Sequence, residues 1–236
     1  MHWNLPNTLT ILRLLAAPIL IAVFLIFPRP VADWLGVGLF AFAAITDFVD
    51  GHLARRWQQT TAFGRMMDPI ADKAMTILAL VLLVNLLSGI RVSIGGTGYD
   101  EATLVLIPAA AIMFREVFVS GLREYLGSSA ASLPVTTLAK WKTTAQMVAV
   151  LVLFAQGLFE HYYGVLLFGF TQEMASAIMQ GREEDLFGLR WKYNGFFAAQ
   201  YGGLSLLWLA AVMTLVTGWD YFRKSLPFLR GSGTND

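Results

Sequence analysis

Four aspartates are crowded into a short polar stretch of an otherwise apolar chain: Asp47, Asp50, Asp68 and Asp72. The first two stand three residues apart and the last two stand four apart. On a helix those spacings place both members of a pair on one face. If the segment between the pairs joins two antiparallel helices, all four carboxylates meet at one depth. Left unpaired there they repel one another and resist desolvation. A hard divalent cation, Mg²⁺ or Mn²⁺, resolves that conflict through oxygen ligands and can bind phosphate oxygens too. Arg55, Arg56 and Arg65 add charge suited to phosphate. Gly51 and Ala54 remove bulk on or beside the aspartate face, and Gly64 does so one turn before Asp68. Each residue alone has a plainer explanation. Asp68 before Pro69 can cap a helix, paired arginines can mark a membrane helix end, and small residues can serve packing. None of these explains four acids placed to converge.

The elements that must hold them are greasy. The 236 residues are 56% hydrophobic and 14% charged, with net charge +1. The apolar residues fall in blocks at 5–27, 33–46, 74–90, 102–114, 143–159 and 196–218. The shorter blocks cross about 30 Å of hydrocarbon only if their charged flanks are helical as well. This predicts an all-α integral membrane protein rather than a water-soluble helical core. Six transmembrane helices are expected near 6–27, 33–56, 65–90, 102–124, 140–160 and 198–222, with a polar active-site cavity facing the cytoplasm. With both termini cytoplasmic, Arg29, Arg91, Arg182, Arg190 and Lys192 are the only ones of the seventeen Lys and Arg left outside; the inverted orientation reverses the bias. The first helix carries Arg13 and no small-residue cleavage site, so it reads as retained.

The whole chain, 1–236, reads as one domain. Residues 160–197, with Glu183, Glu184 and Asp185, predict a solvated external loop with at most a surface helix, and GSGTND at 231–236 a frayed tail. No Cys is present, which excludes disulfides, thiolate catalysis and Cys-based zinc sites. His2, His52 and His161 are too scattered for a metal centre. No nucleic-acid partner is expected.

Asp47, Asp50, Gly51, Ala54, Arg55, Gly64, Asp68 and Asp72 together resemble the complete signature of the CDP-alcohol phosphotransferases, with no position departing from it. Its length and fixed spacing make it far more specific than a lone glycine motif. The resemblance implies a six-helix membrane enzyme that transfers a substituted phosphate from a CDP-linked donor to an alcohol and releases CMP. It implies that Asp47, Asp50 and Asp68 are metal ligands, with Asp72 near the metal and acting as general base. It also implies that Gly51, Ala54 and Arg55, with Gly64, belong to the CDP-donor site. The segments NLPNTLTILRLLAAP, MFREVFVSGLREYLG and LPVTTLAKWKTTAQ are similar to the branch of that family which joins CDP-diacylglycerol to sn-glycerol 3-phosphate. The implied setting is a bacterial cytoplasmic membrane, with membrane lipids as neighbours; a homodimer is compatible, although no segment marks an interface.

A dianionic acceptor needs basic residues that a neutral alcohol does not. Arg115, Arg123, Lys140 and Lys142 offer them at the facing ends of the fourth and fifth helices, and Arg115 lies deep enough to make an idle charge expensive. Local pairing with Glu116 or Glu124, or snorkelling of the two lysines, is the competing explanation. Asn7, Thr10 and Arg13 share one broad side of the first helix and are candidates for donor or phosphate contact, although Asn7 can also cap the helix. Two other functions remain open from sequence. One is the same chemistry with inositol phosphate, serine or phosphatidylglycerol as acceptor. The other is an ion-coupled transporter, which needs acids reachable from both sides in turn, whereas these four lie near one face.

Overall fold

The computed structural model describes residues 5–57, 61–127 and 137–231; the side chains of residues 5–6, 48–57, 65, 137, 139–140 and 230–231 lie outside that description. The elements run α1 Leu5–Ile26, α2 Val31–Trp57, α3 Ala62–Leu86, β1 Arg91–Ile94, β2 Thr97–Asp100, α4 Glu101–Leu126, α5 Thr137–Gly169, α6 Gln172–Met179 and α7 Leu189–Gly231. Parts of α1, α3, α4, α5 and α7 are long and apolar enough to cross a membrane. The chain is a multi-pass, all-α membrane protein, and the one sheet among the described residues is a small hairpin.

Helix α3 starts earlier than expected. Thr61 caps it, its Oγ1 accepting from the Gly64 N–H at 3.0 Å. Asp68 and Pro69 are therefore inside the helix, so Asp68 is not its N-cap. Pro69 supplies no N–H to the preceding turn, which weakens the helix between the two aspartates of α3. The same helix stops at Leu86 rather than 90 because Gly89, at φ 85°, turns the chain. Strands β1 and β2 follow, joined through Gly95 and Gly96, both at positive φ as a type I′ hairpin demands. Asp100 closes the unit, accepting from Gly89 N and capping α4 at Ala102 N.

The long external loop expected at 160–197 is mostly helix. Helix α5 continues to Gly169, α6 occupies Gln172–Met179, and α7 begins at Leu189. Aromatic pairs zip the two extensions together: Phe159 with Trp191 at 5.5 Å, and Tyr163 with Tyr193 at 5.5 Å and Phe196 at 6.4 Å. Asp185 starts α7 by accepting from Leu189 N and Arg190 N at 2.6 and 2.9 Å. Desolvation works against its charge, but those N–H groups outweigh it and hold the carboxyl below its ordinary pKa.

Leu20, Phe40, Met75, Leu80, Leu83 and Leu153 are fully buried where α1, α2, α3 and α5 meet. Away from the aspartates, Arg29 links α2 to α5: its Nε donates to Asp33 at 2.8 Å and its Nη1 to Glu160 at 3.0 Å. Burial opposes the guanidinium charge, yet both carboxylates together raise its pKa. Gly157 makes room, since a Cβ there would lie 2.5 Å from Arg29 Nη2. Asp33 is only 2% exposed. Arg29→Met is expected to cost about 3 kcal/mol by leaving that carboxylate unpaired, read as a lower unfolding temperature in detergent; an unchanged temperature would show the pair to be idle.

Candidate active site

Three helices build an acidic wall. Helix α2 returns the chain, so α1 and α3 run the same way and their residues match in order. Asn7 Oδ1 accepts from Thr61 Oγ1 at 2.8 Å, and Thr10 Oγ1 donates to Asp68 Oδ1 at 2.6 Å. Arg13 Nη1 reaches Asp72 Oδ1 at 2.5 Å and Asp47 Oδ1 at 2.9 Å. Because one nitrogen touches both acids, α2 and α3 are drawn together at that point. Arg13 is 2% exposed, so its charge is compensated by carboxylates rather than by water. Gly64 lets α1 approach: a Cβ there would lie 3.1 Å from Asn7 Oδ1 and 3.4 Å from Thr61 Oγ1.

Helices α4 and α5 build a basic wall. Glu116 Oε1 accepts from Lys142 Nζ at 2.5 Å and from Arg115 Nη1 at 3.1 Å, so it fixes both cations without matching their charge. Lys73 of α3 donates to Ser120 Oγ, which donates to the Glu116 carbonyl at 2.5 Å. Arg123 lies 5.3 Å over the Tyr221 ring, a cation–π contact that holds it at the cavity edge. The stem of Arg115 rests on α7, where a Cβ at Gly218 would come within 2.9 Å of its Cγ.

Between the walls is a cavity of about 350 Å³, lined by Asp47, Asp68 and Asp72 on one side and by Arg115, Arg123 and Lys142 on the other. Six of the residues singled out by sequence thus share one space. Asn7, Thr10, Arg13 and Gly64 do not line it; they stand behind the aspartates, and Thr10 and Arg13 bond to them. The side chains of Asp50, Gly51, Ala54, Arg55 and Lys140 lie outside the described residues. Among the lining residues that sequence reasoning missed are Lys73 and Gln146. Each had a signal: Lys73 follows Asp72 directly, and Gln146 is four residues after Lys142, on the same helix face. Outside the bundle, Phe114, Phe118, Leu215, Trp219 and Phe222 line an apolar groove of about 280 Å³ between α4 and α7, and Arg115 belongs to both spaces.

The acidic wall has the chemistry of a site for a divalent ion. Asp47 and Asp72 are 37% and 41% exposed, so solvent or a ligand reaches them. Arg13 and Thr10 engage their Oδ1 atoms and that of Asp68, and carboxylate oxygens are the hard donors such an ion takes. Among the described residues no three acidic or His side chains form a ready-made metal cluster. Arg13 instead supplies the positive charge between Asp47 and Asp72.

Comparison with known proteins follows the same lines. Residues 3–178 match the family described as CDP-alcohol phosphatidyltransferase. The chain belongs to this family. A protein of Cereibacter sphaeroides is 48% identical over 231 residues, covering 98% of this chain and 99% of its own. One of Rickettsia bellii is 36% identical over 93% of this chain and 94% of its own, and one of Haemophilus influenzae is 30% identical over 94% of each. All three are named CDP-diacylglycerol–glycerol-3-phosphate 3-phosphatidyltransferase. As a member of the CDP-alcohol phosphatidyltransferases, the chain is a transferase of phospholipid biosynthesis.

Proposed function

We propose that this CDP-alcohol phosphatidyltransferase moves the phosphatidyl group of CDP-diacylglycerol to sn-glycerol 3-phosphate, giving phosphatidylglycerol phosphate and CMP. The observation that carries this is the opposition of an acidic and a basic wall across one cavity. The names of the near-full-length relatives agree with it. Serine offers Arg115, Arg123 and Lys142 a single carboxylate balanced by its own ammonium group; a dianionic phosphate suits them better.

Asp47, Asp50, Asp68 and Asp72 would hold Mg²⁺ or Mn²⁺, which neutralises pyrophosphate charge and stabilises the leaving CMP. The chain's own residues do the rest. Arg115 and Lys142, held by Glu116, bind the acceptor phosphate and aim its hydroxyl across the cavity. Asp72 presents Oδ2 as the base, since Arg13 holds Oδ1 and fixes the carboxylate plane. The hydroxyl oxygen then bonds to the phosphatidyl phosphorus, its proton passes to Asp72, and the bond to CMP breaks. The acyl chains leave through the α4–α7 groove, which shares Arg115 with the cavity. Helix α2 completes six spans, and the site opens to the cytoplasm of a bacterial inner membrane, with both termini on that side.

Arg115→Ala is expected to raise the KM for glycerol 3-phosphate about 10- to 100-fold, as for loss of a charge-assisted contact, with the KM for CDP-diacylglycerol little changed. A rise confined to the donor KM would move Arg115 to the donor site. The functional reading itself is tested with purified protein in lipid micelles with Mg²⁺ and CDP-diacylglycerol, each acceptor supplied separately. CMP release with glycerol 3-phosphate but not with serine, inositol phosphate or phosphatidylglycerol is expected. Release only with one of the others would reject the acceptor.

A further inference from the structure

Gln146 is one of the polar groups on the cavity wall that the chemistry above does not use. It is 4% exposed, lies on α5 and lines the cavity. Its Oε1 is fully buried and accepts no hydrogen bond among the described residues. An amide left so is costly, because it gave up water without gaining a partner. Its neighbours on the lining do not supply one. Ile77, Ile112 and Met147 are apolar, Lys142, one turn nearer the start of α5, is engaged by Glu116 at 2.5 Å, and neither Thr76 nor Thr143 donates to Gln146 Oε1.

Position says what the amide faces. Gln146 is about 6 Å along α5 from Lys142, on the same face, and shares the cavity with Asp72 of α3. An acceptor whose phosphate sits at Arg115 and Lys142, and whose attacking hydroxyl sits at Asp72, spans the floor between them with its middle carbon. On a glycerol phosphate that carbon bears the one remaining polar group, a secondary hydroxyl. A hydroxyl both donates and accepts, so it satisfies the amide whichever way the amide is turned. We propose that Gln146 binds the middle hydroxyl of the acceptor and is the residue by which this enzyme distinguishes a glycerol phosphate from other phosphorylated alcohols; the proposal rests on the acceptor assigned above.

The test compares sn-glycerol 3-phosphate with 3-hydroxypropyl phosphate, which keeps the primary hydroxyl and the phosphate and lacks only the middle hydroxyl. The full-length protein in lipid micelles is expected to favour glycerol 3-phosphate by roughly 10- to 100-fold in kcat/KM, as for loss of a paired hydroxyl in a polar site. Gln146→Met, similar in volume but without the amide, is expected to bring the two alcohols within about threefold, by losing activity on glycerol 3-phosphate alone. Turnover of 3-hydroxypropyl phosphate also reports that the variant is folded. A wild type that uses both alcohols equally overturns the proposal whatever the variant does, and so does a variant that loses both in proportion. No CMP from the wild type with either alcohol rejects the assigned acceptor and this proposal with it; release with glycerol 3-phosphate and no change of ratio rejects only the role of Gln146.

Discussion

Asp72→Asn is expected to lower turnover about a thousandfold while CDP-diacylglycerol still binds. The amide is the same size and its oxygen can still accept from Arg13, as Oδ1 does at 2.5 Å, so the wall between α1 and α3 keeps its shape. What is lost is the capacity to take a proton from the acceptor hydroxyl, a contribution of roughly 10²- to 10⁴-fold in general-base catalysis. Asp47 continues to pair with Arg13 at 2.9 Å, so the guanidinium is not stranded. CMP release gives the rate, and the stabilisation of the protein by added CDP-diacylglycerol against heat gives the binding. Turnover at the wild-type rate would reject Asp72 as the base, and loss of donor stabilisation would make it chiefly a donor ligand.

The second large effect belongs to a residue that does not line the cavity at all. Arg13→Met removes the cation that bridges Asp47 and Asp72 from a position 2% exposed to solvent. Two carboxylates are then left facing each other at the start of a membrane span. A loss of about 3–5 kcal/mol is the usual outcome when one partner of a buried ion pair is removed. Adding Asp47→Asn to Arg13→Met should recover part of that stability, because it removes the repulsion, but should recover no activity. Thermal unfolding in detergent checks both variants. If Arg13→Met is as stable as the wild type, the bridge is not what holds α2 to α3.

The acidic wall was legible in Asp47, Asp68 and Asp72, because helical periodicity ties Asp68 to Asp72 and the motif sets Asp47 at a fixed distance from them along the chain. The stripe Asn7, Thr10, Arg13 was legible as one side of a helix, but its partners were not. Thr10 meets Asp68 and Arg13 meets Asp72 across 58 and 59 residues of chain, and that register exists only once α1 and α3 lie parallel. Asp68 before Pro69 was a credible cap for α3; the Gly64 N–H selects Thr61 instead, which places Asp68 inside the helix and at the cavity. The outer segment misled for a different reason. Its acids suggest a solvated loop, whereas Phe159 and Tyr163, and Tyr193 and Phe196, stand at helical spacing and with Trp191 pack α5 on α7. Charge counting also hid Lys73, one of the twelve basic residues counted toward topology, until Ser120 is seen beside it.

The most direct test of the account is to measure both products of one reaction. Purified protein, Mg²⁺, CDP-diacylglycerol and sn-glycerol 3-phosphate are incubated in lipid micelles, and CMP is quantified beside the lipid product by mass spectrometry. A single transfer at the cavity between the two walls predicts phosphatidylglycerol phosphate and CMP in equal amounts, with neither formed when the acceptor is withheld. CMP accompanied by phosphatidic acid, or formed equally well without glycerol 3-phosphate, would contradict it.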